Sequence, residues 1–174
     1  MKAFAHSDRG QQSHVDINAA ISSTLTVARH ELDSVAETVT QFGELPPVPC
    51  YPGDLNHVFL NLLVNAAHAI GETMASTNRR GRITVVTRSE DAKVIVSISD
   101  TGGGISDETR PHIFEPFFTT KAVGKGSGQG LALAHGIVVE KHGGFITLET
   151  EVGRGTTFHV RLPVAGAPAK RSGA

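Results

Sequence analysis

Two glycine-rich segments constrain this chain more than any other feature of its sequence. The first runs from Asp100 to Ile105 and reads DTGGGI, and the second covers residues 124–131 and reads GKGSGQGL. Glycine lets a ligand approach the backbone closely, and successive free N–H groups can form a concave anion site. The second segment leads into a helix-like stretch, whose N-terminus favours phosphate. Either segment alone is typical of an ordinary turn, but the pair indicates a nucleotide site.

The sequence lacks the spacing motifs of several other kinds of functional site. The chain contains neither the GxxxxGK[ST] loop nor the G-x-G-x-x-G fingerprint. It has nine histidines but no HExxH pair, which disfavours a zinc site. The G-x-S-x-G turn of serine hydrolases is also missing.

The length and composition of the chain are typical of a single domain with a hydrophobic core. Of 174 residues, 39% are hydrophobic and the net charge is −1, so neither disorder nor nucleic-acid binding is indicated. The one cysteine, Cys50, cannot form an internal disulfide. No apolar run approaches the length of a membrane span. We therefore expect a cytoplasmic protein or the cytoplasmic part of a larger, membrane-bound one.

Hydrophobic periodicity predicts alternating helices and strands. Helices are expected at about 16–32, 54–70 and 128–142, and strands at about 34–42, 82–88, 93–99, 145–151 and 156–162. Asp54 is the predicted N-cap of the second helix. Residues 1–13, the proline-rich segment 45–52 and residues 72–81 are predicted to be irregular. This order predicts an α+β fold with helices on one face of a sheet.

A polar stripe follows the predicted second helix. Its members recur every three or four residues: Asp54, His57, Asn61, Asn65, His68 and Glu72. Asparagine is unfavourable within a helix, and two amide oxygens one turn apart suit Mg²⁺ bound together with phosphate oxygens. A solvated stripe or buried asparagine pairs remain open as alternatives.

Asp100 continues the alternation of Val94, Val96 and Ile98, so its carboxylate should point toward the apolar side of the sheet. A buried carboxylate needs a hydrogen-bond donor, and the amino group of adenine would serve. The alternative is an aspartate that only starts a turn before glycine.

The motifs together resemble the catalytic ATP-binding domain of sensor histidine kinases, of the nitrogen-regulator type, within the wider family that includes Hsp90, DNA gyrase B and MutL. HVFLNLLVNAAHAI is similar to the asparagine box, DTGGGI to the first glycine box and IFEPFFTTK to the phenylalanine box. GSGQGLALAHGIVVEKHGG is similar to the second glycine box, and GRGTTFHVRLP to the closing strand. The resemblance covers about residues 35–163, in the family's order.

The resemblance implies a Bergerat-type two-layer α/β sandwich, with a mixed sheet, helices on one face and an ATP lid. It implies that Asn65 binds Mg²⁺, that Asp100 accepts from the adenine amino group and that Thr156 lies behind the adenine. Lys121 and residues 126–130 would form the phosphate lid. The full set of nucleotide-binding residues implied is Asn61, Asn65, Asp100, Gly102, Gly104, Ile105, Lys121, Gly126, Ser127, Gly128, Gln129, Gly130, Leu131 and Thr156.

The implied activity is transfer of the γ-phosphoryl group of Mg·ATP to a histidine of a dimerisation domain, followed by signalling to a response regulator. Hsp90-like relatives carry an acidic base at the position of Asn61, so an ATPase of that type is disfavoured. Gln129 replaces an apolar residue of the second glycine box, so a degenerate nucleotide-binding signalling module is the alternative. No catalytic residue is assigned.

Three divisions of the chain are expected. Residues 1–33 would be the end of the dimerisation helix region and a linker, residues 34–164 the catalytic domain, and residues 165–174 a disordered tail. His30-Glu31-Leu32 resembles the start of a phosphoacceptor motif, but no proline follows, so His30 is not expected to accept phosphate. The chain is expected to be a fragment of a longer kinase that dimerises only in full length, and residues 122–127 are expected to form a mobile lid.

Overall fold

A mixed five-stranded sheet is the framework of the molecule, in a computed structural model that describes residues 11–115 and 130–164. In chain order the strands of the described residues are β1 (Ser13–Val15), β2 (Ala36–Phe42), β3 (Val48–Cys50), β4 (Gly81–Glu90), β5 (Lys93–Asp100), β6 (Phe145–Glu151) and β7 (Gly155–Pro163). The large sheet has the order β2-β4-β5-β7-β6, with β2 parallel to β4 and the other pairs antiparallel.

The helices pack on one face of this sheet. They are α1 (Ile17–Val27), α2 (Arg29–Asp33), α3 (Pro52–Thr77) and α4 (Gly130–His135), which continues as a π-helix over Gly136–Lys141. Alternate residues of β4, β5 and β7 join these helices in a single hydrophobic cluster that includes Val85, Val96 and Val160. The predicted α+β architecture, with a mixed sheet and helices on one face, is therefore confirmed.

The long helix α3 differs from its prediction at both ends. It begins at Pro52, after the extended residue Tyr51, so Asp54 is not the N-cap but lies in the first turn. Proline suits the first helical position because the N–H it lacks has no partner there. The helix also continues past Ile70 to Thr77 and ends where Asn78 adopts φ 60°. Most of the predicted loop 72–81 is thus helical.

A second, two-stranded sheet was not expected. β1 pairs antiparallel with β3, which joins Ser13 to Cys50 across the proline-rich segment. Ser13 therefore lies in a strand, although residues 1–13 were predicted to be irregular. Proline is compatible with a strand as short as β3, since it needs few ladder bonds.

Both predicted hairpins of the large sheet are present. Asp91 and Ala92 have φ of 53° and 62° in the turn between β4 and β5. Two positive φ values in a two-residue loop match the twist of antiparallel strands. β6 and β7 meet at a turn in which Gly153 has φ 88°.

The third predicted helix is not regular throughout. Within the described residues it starts at Gly130 and changes from α to π geometry at Gly136. Just after the π-helix, the buried His142 accepts a hydrogen bond from the Tyr51 N–H at Nε2 (3.0 Å), so Nδ1 carries the proton and donates to Ile137 O (2.9 Å). Burial lowers the pKa of His142. This histidine ties the start of α3 to the end of the π-helix.

None of the helices in residues 11–115 and 130–164 is both long and apolar enough to span a bilayer.

Candidate nucleotide-binding site

Asp100 ends β5 with its side chain turned into the molecule. The residue is 9% exposed, so the inward orientation predicted from the alternation of β5 is confirmed. Its Oδ1 accepts a hydrogen bond from the Gly102 N–H at 2.8 Å. Burial raises the pKa of the Asp100 carboxyl to about 6, against the opposing effect of backbone hydrogen bonds from Gly102 and Thr156. An acceptor of this kind can receive a further donor, such as an exocyclic amino group.

The glycine loop, residues 101–105, follows Asp100 and lies between α3 and the β6–β7 turn. A Cβ on Gly102 would lie 2.7 Å from the Cβ of Ala69, so only glycine fits against the helix. Gly104 has φ 80°, and a Cβ there would collide with the carbonyl oxygen of Glu151. On the same side, the Gly153 N–H donates to Gly103 O at 2.9 Å. Close backbone packing therefore fixes the loop on two sides.

Thr156 stands opposite Asp100 in the β5–β7 ladder and is 6% exposed. The preceding Gly155 has φ 134°, and a Cβ there would collide with the carbonyl oxygen of Asp100. The start of β7 thus lies directly against the end of β5, and Thr156 lies beside the Asp100 carboxylate.

The amides of Asn61 and Asn65 lie one turn apart on α3, and both residues are half-buried. The Asn61 side chain donates from Nδ2 to Gly130 O at 3.2 Å, which joins α3 to the first residue of α4. Leu131, the next residue of α4, packs against the hydrophobic core. The structure therefore brings together α3 and the described end of the second glycine-rich segment.

The other members of the polar stripe have separate partners. Asp54 pairs with Lys141 of the π-helix, and His68 Nε2 lies 3.2 Å from Glu31 Oε2 on α2. His57 and Glu72 are exposed. In the part of the chain that the structure describes, no group of three or more His, Cys, Asp or Glu side chains could hold a metal ion. The neutral amide oxygens of Asn61 and Asn65 are among the oxygen ligands on α3, and their chemistry fits a Mg²⁺ ion that shares phosphate oxygens and keeps its waters.

Several predicted site residues lie outside the described residues. These are Lys121, Gly126, Ser127, Gly128 and Gln129, together with the predicted lid 122–127 and the phenylalanine box beyond Glu115. The first residues of that box are described. Ile113 is buried, and the Phe114 ring contacts the tilted His135 ring at a centroid distance of 4.8 Å and the Phe158 ring edge-on at 6.4 Å.

The surfaces that hold the glycine loop in place were not predicted from the sequence. Ala69 receives Gly102, and Glu151 and Gly153 border the loop from the hairpin turn. The small side chain of Ala69, which closes the segment Asn65-Ala66-Ala67-His68-Ala69, is a signal that fits close approach of another chain segment. Nothing comparable in the sequence singles out Glu151, since the contact is made by its backbone.

Comparisons with known proteins agree with this geometry. The family model described as histidine kinase-, DNA gyrase B-, and HSP90-like ATPase matches residues 50–166. The sensor histidine kinase ZraS of Escherichia coli (strain K12) is 38% identical over 152 residues, which cover 86% of this chain and 30% of that protein. The chain thus spans less than a third of the length of this relative.

Solved structures show the same fold. The catalytic domain of histidine kinase ThkA superposes with a TM-score of 0.77 at 27% identity, covering 92% of this chain and 99% of that one. ThkA in complex with the response regulator protein TrrA superposes with a TM-score of 0.71 at 25% identity, covering 92% of this chain and 43% of that one. The predicted fold class is confirmed as that of a histidine kinase catalytic domain. The chain belongs to the family of histidine kinase-, DNA gyrase B- and HSP90-like ATPases, in the form found in sensor histidine kinases.

Proposed function

We propose that this chain binds Mg·ATP between α3 and the glycine loop and transfers the γ-phosphoryl group to a histidine of a dimerisation domain. The observation that carries the proposal is the buried Asp100 carboxylate, which lies beside a loop packed too closely at Gly102 and Gly104 for any residue but glycine. A buried acceptor beside closely approached backbone matches the flat, amino-bearing edge of adenine.

The base side of the site is formed by Asp100, Gly102, Gly104, Ile105 and Thr156. Asp100 accepts from the adenine amino group in its ionised form, while Gly102 N–H and the backbone of Thr156 orient its carboxylate. A charge-assisted hydrogen bond of this kind is about twice as strong as a neutral one. Adenine recognition therefore depends on the protonation state of one carboxyl group.

The phosphate side is formed by Asn61 and Asn65 on α3 and by Gly130 and Leu131 on α4. Asn65 would hold the Mg²⁺ ion, which when bound neutralises charge on the phosphate oxygens. The Asn61–Gly130 hydrogen bond keeps the start of α4 beside the amide pair. Lys121 and residues 126–129 complete the phosphate side in this proposal.

Asn61 also bears on the reaction. An amide cannot remove a proton from water, so this position does not supply a general base for hydrolysis. Positioning and charge neutralisation supply most of the catalysis in phosphoryl transfer. The site can provide both without a general base. We therefore favour transfer to a protein histidine over hydrolysis.

The wider assignments rest on the relatives. ThkA was solved with the response regulator TrrA, which supports a response regulator as the downstream partner here. We propose a nitrogen-regulator-like kinase of the cytoplasm, on the basis of the segment IFEPFFTTK. We also propose that residues 34–164 are the catalytic unit, with the phosphoacceptor domain and dimerisation supplied by the rest of a longer protein. Helices α1 and α2, which precede residue 34, contribute Ile17, Ile21 and Leu32 to the same core.

The test is phosphoryl transfer in trans. The chain is incubated with γ-labelled ATP, with and without the separately produced phosphoacceptor domain of the same kinase. We expect acid-labile label on the acceptor that requires Mg²⁺. ATP binding without any transfer would overturn the kinase proposal and favour the degenerate signalling module.

His30 provides an internal control. It is exposed on α2 and is followed by Glu31, which contacts His68. Because no proline follows His30-Glu31-Leu32, the chain alone should remain unlabelled. Label that disappears in His30→Gln would show that the chain phosphorylates itself.

A further inference from the structure

One hydroxyl group on β6 joins the end of the glycine loop to the start of β7. Thr150 Oγ1 accepts a hydrogen bond from the Ile105 N–H at 2.8 Å. The same oxygen lies 3.2 Å from Gly155 O and 2.8 Å from Thr156 Oγ1. These three partners belong to the end of the glycine loop and to the start of β7.

The arrangement uses the hydrogen-bonding capacity of this hydroxyl almost completely. A threonine hydroxyl has one proton and two acceptor positions. The Ile105 N–H takes one acceptor position, and the single proton goes either to Gly155 O or to Thr156 Oγ1. Whichever hydroxyl donates, Thr150 sets the direction in which the Thr156 hydroxyl can offer its own proton or lone pair.

The two residues that Thr150 holds are those that shape the base side. Ile105 closes the loop that starts at Asp100, and the backbone of Thr156 hydrogen-bonds the Asp100 carboxylate. A separate hydrogen bond, from the Gly153 N–H to Gly103 O, attaches the middle of the loop to the β6–β7 turn. Loss of the Thr150 hydroxyl would therefore release the far end of the loop while leaving its middle attached.

We propose that Thr150 is a positioning residue for nucleotide binding: its hydroxyl locks the glycine loop and the Thr156 hydroxyl into the geometry that receives the base. It acts through Ile105 and Thr156 and does not itself touch the nucleotide. This inference rests on the proposed function, because it concerns the same site.

The test compares three variants by calorimetry with ATP. Thr150→Val keeps the size of the side chain but removes the hydroxyl, and we expect ATP affinity to fall by about fivefold to tenfold, the equivalent of one buried hydrogen bond. Thr150→Ser keeps the hydroxyl and should bind as the wild type does. Thr147→Val is the matched control, since its exposed hydroxyl lies on the same strand and accepts from Arg161 Nη1 at 2.9 Å.

A second measurement separates positioning from general stability. In the nucleotide-free protein, hydrogen exchange of the Ile105 amide should accelerate in Thr150→Val and stay slow in Thr150→Ser and Thr147→Val. If Thr150→Val does not fold, the ATP affinity of Thr150→Ser is the test. This variant keeps the hydroxyl, so a loss of its ATP affinity would overturn the proposal. If the wild type binds ATP and Thr150→Val binds it with the same affinity, this inference alone is overturned. A wild-type chain that binds no ATP would overturn the proposed function as well.

Discussion

The base side and the phosphate side of the candidate site are fixed by different kinds of contact. On the base side, Asp100 and the glycine loop are fixed by backbone hydrogen bonds and by contacts that exclude a Cβ at Gly102 and Gly104. On the phosphate side, α3 and α4 meet through a side-chain bond, Asn61 to Gly130. The base side is thus set by the close packing of main chain, and the phosphate side by the identity of a few side chains.

This difference predicts how each side responds to change. A Cβ added at Gly102 or Gly104 on the base side displaces backbone and should affect stability and binding together. A substitution on the phosphate side removes a ligand or a contact and should affect binding with little change in stability.

Gly104→Ala should destabilise the folded chain by about 3 kcal/mol, since a left-handed residue with a Cβ is unfavourable and this Cβ would also meet the carbonyl of Glu151. Gly153→Ala is the matched control. It has a similar φ of 88° but nothing within 4 Å of the added Cβ, so its cost should be about 1 kcal/mol. Urea unfolding measures both, and equal costs would show that the loop is not tightly packed.

Asn65→Ala should abolish the Mg²⁺-dependent part of ATP binding while the fold is retained, because the proposed cation ligand is removed from a half-buried position on a stable helix. The measurement is calorimetry with Mg²⁺ and with a chelator. His57→Ala, an exposed change on the same stripe, should bind normally. Unchanged Mg·ATP affinity in Asn65→Ala would exclude this residue as the ligand.

Asp100→Asn should weaken ATP binding by about tenfold or more, since a hydrogen bond to a charged group contributes about 1.5–3 kcal/mol. The amide can also turn its own NH₂ toward the amino group of adenine. GTP serves as the comparison, because it lacks that amino group and should be affected less. Equal losses for both nucleotides would indicate a disturbed fold.

ATP affinity should fall as the pH is lowered through about 6, the raised pKa of Asp100. The ionised carboxylate is the form that accepts from adenine, so below that pH binding must first remove a proton, and affinity should drop by up to about tenfold per pH unit. Titration of the ATP phosphates is common to wild type and Asp100→Asn. The difference between their pH profiles therefore isolates the carboxyl, and parallel profiles would contradict its role.

Asn61→Ala should have the smallest effect, a loss of about threefold to tenfold in ATP affinity, because one hydrogen bond to Gly130 is removed. Asn56→Ala, an exposed asparagine on the same helix, provides the control. Stability measured by thermal unfolding should change little in either variant. A large loss of stability in Asn61→Ala would show that this side, too, is fixed by packing.

Much of the fold could be predicted because its signals are local. Alternation along β5 placed Asp100 on the inner face, and turn residues placed both hairpins. Predictions of element ends were weaker: the stop at Ile70 was wrong because a run of small and polar residues continued the helix to Thr77. The αL cap at Asn78 was a local signal that the prediction did not use.

Local sequence pattern was sufficient for the strands of the large sheet, the inward orientation of Asp100 and the glycines that a close approach requires, since alternation and missing side chains act within a few residues. Tertiary structure alone decided that Ala69 receives Gly102, that Asn61 meets Gly130 and that Thr150 joins Ile105 to Thr156. It also decided the π geometry after His135, beside which His142 reaches Tyr51. Such contacts join residues tens of positions apart, and they form only after the helices have packed on the sheet.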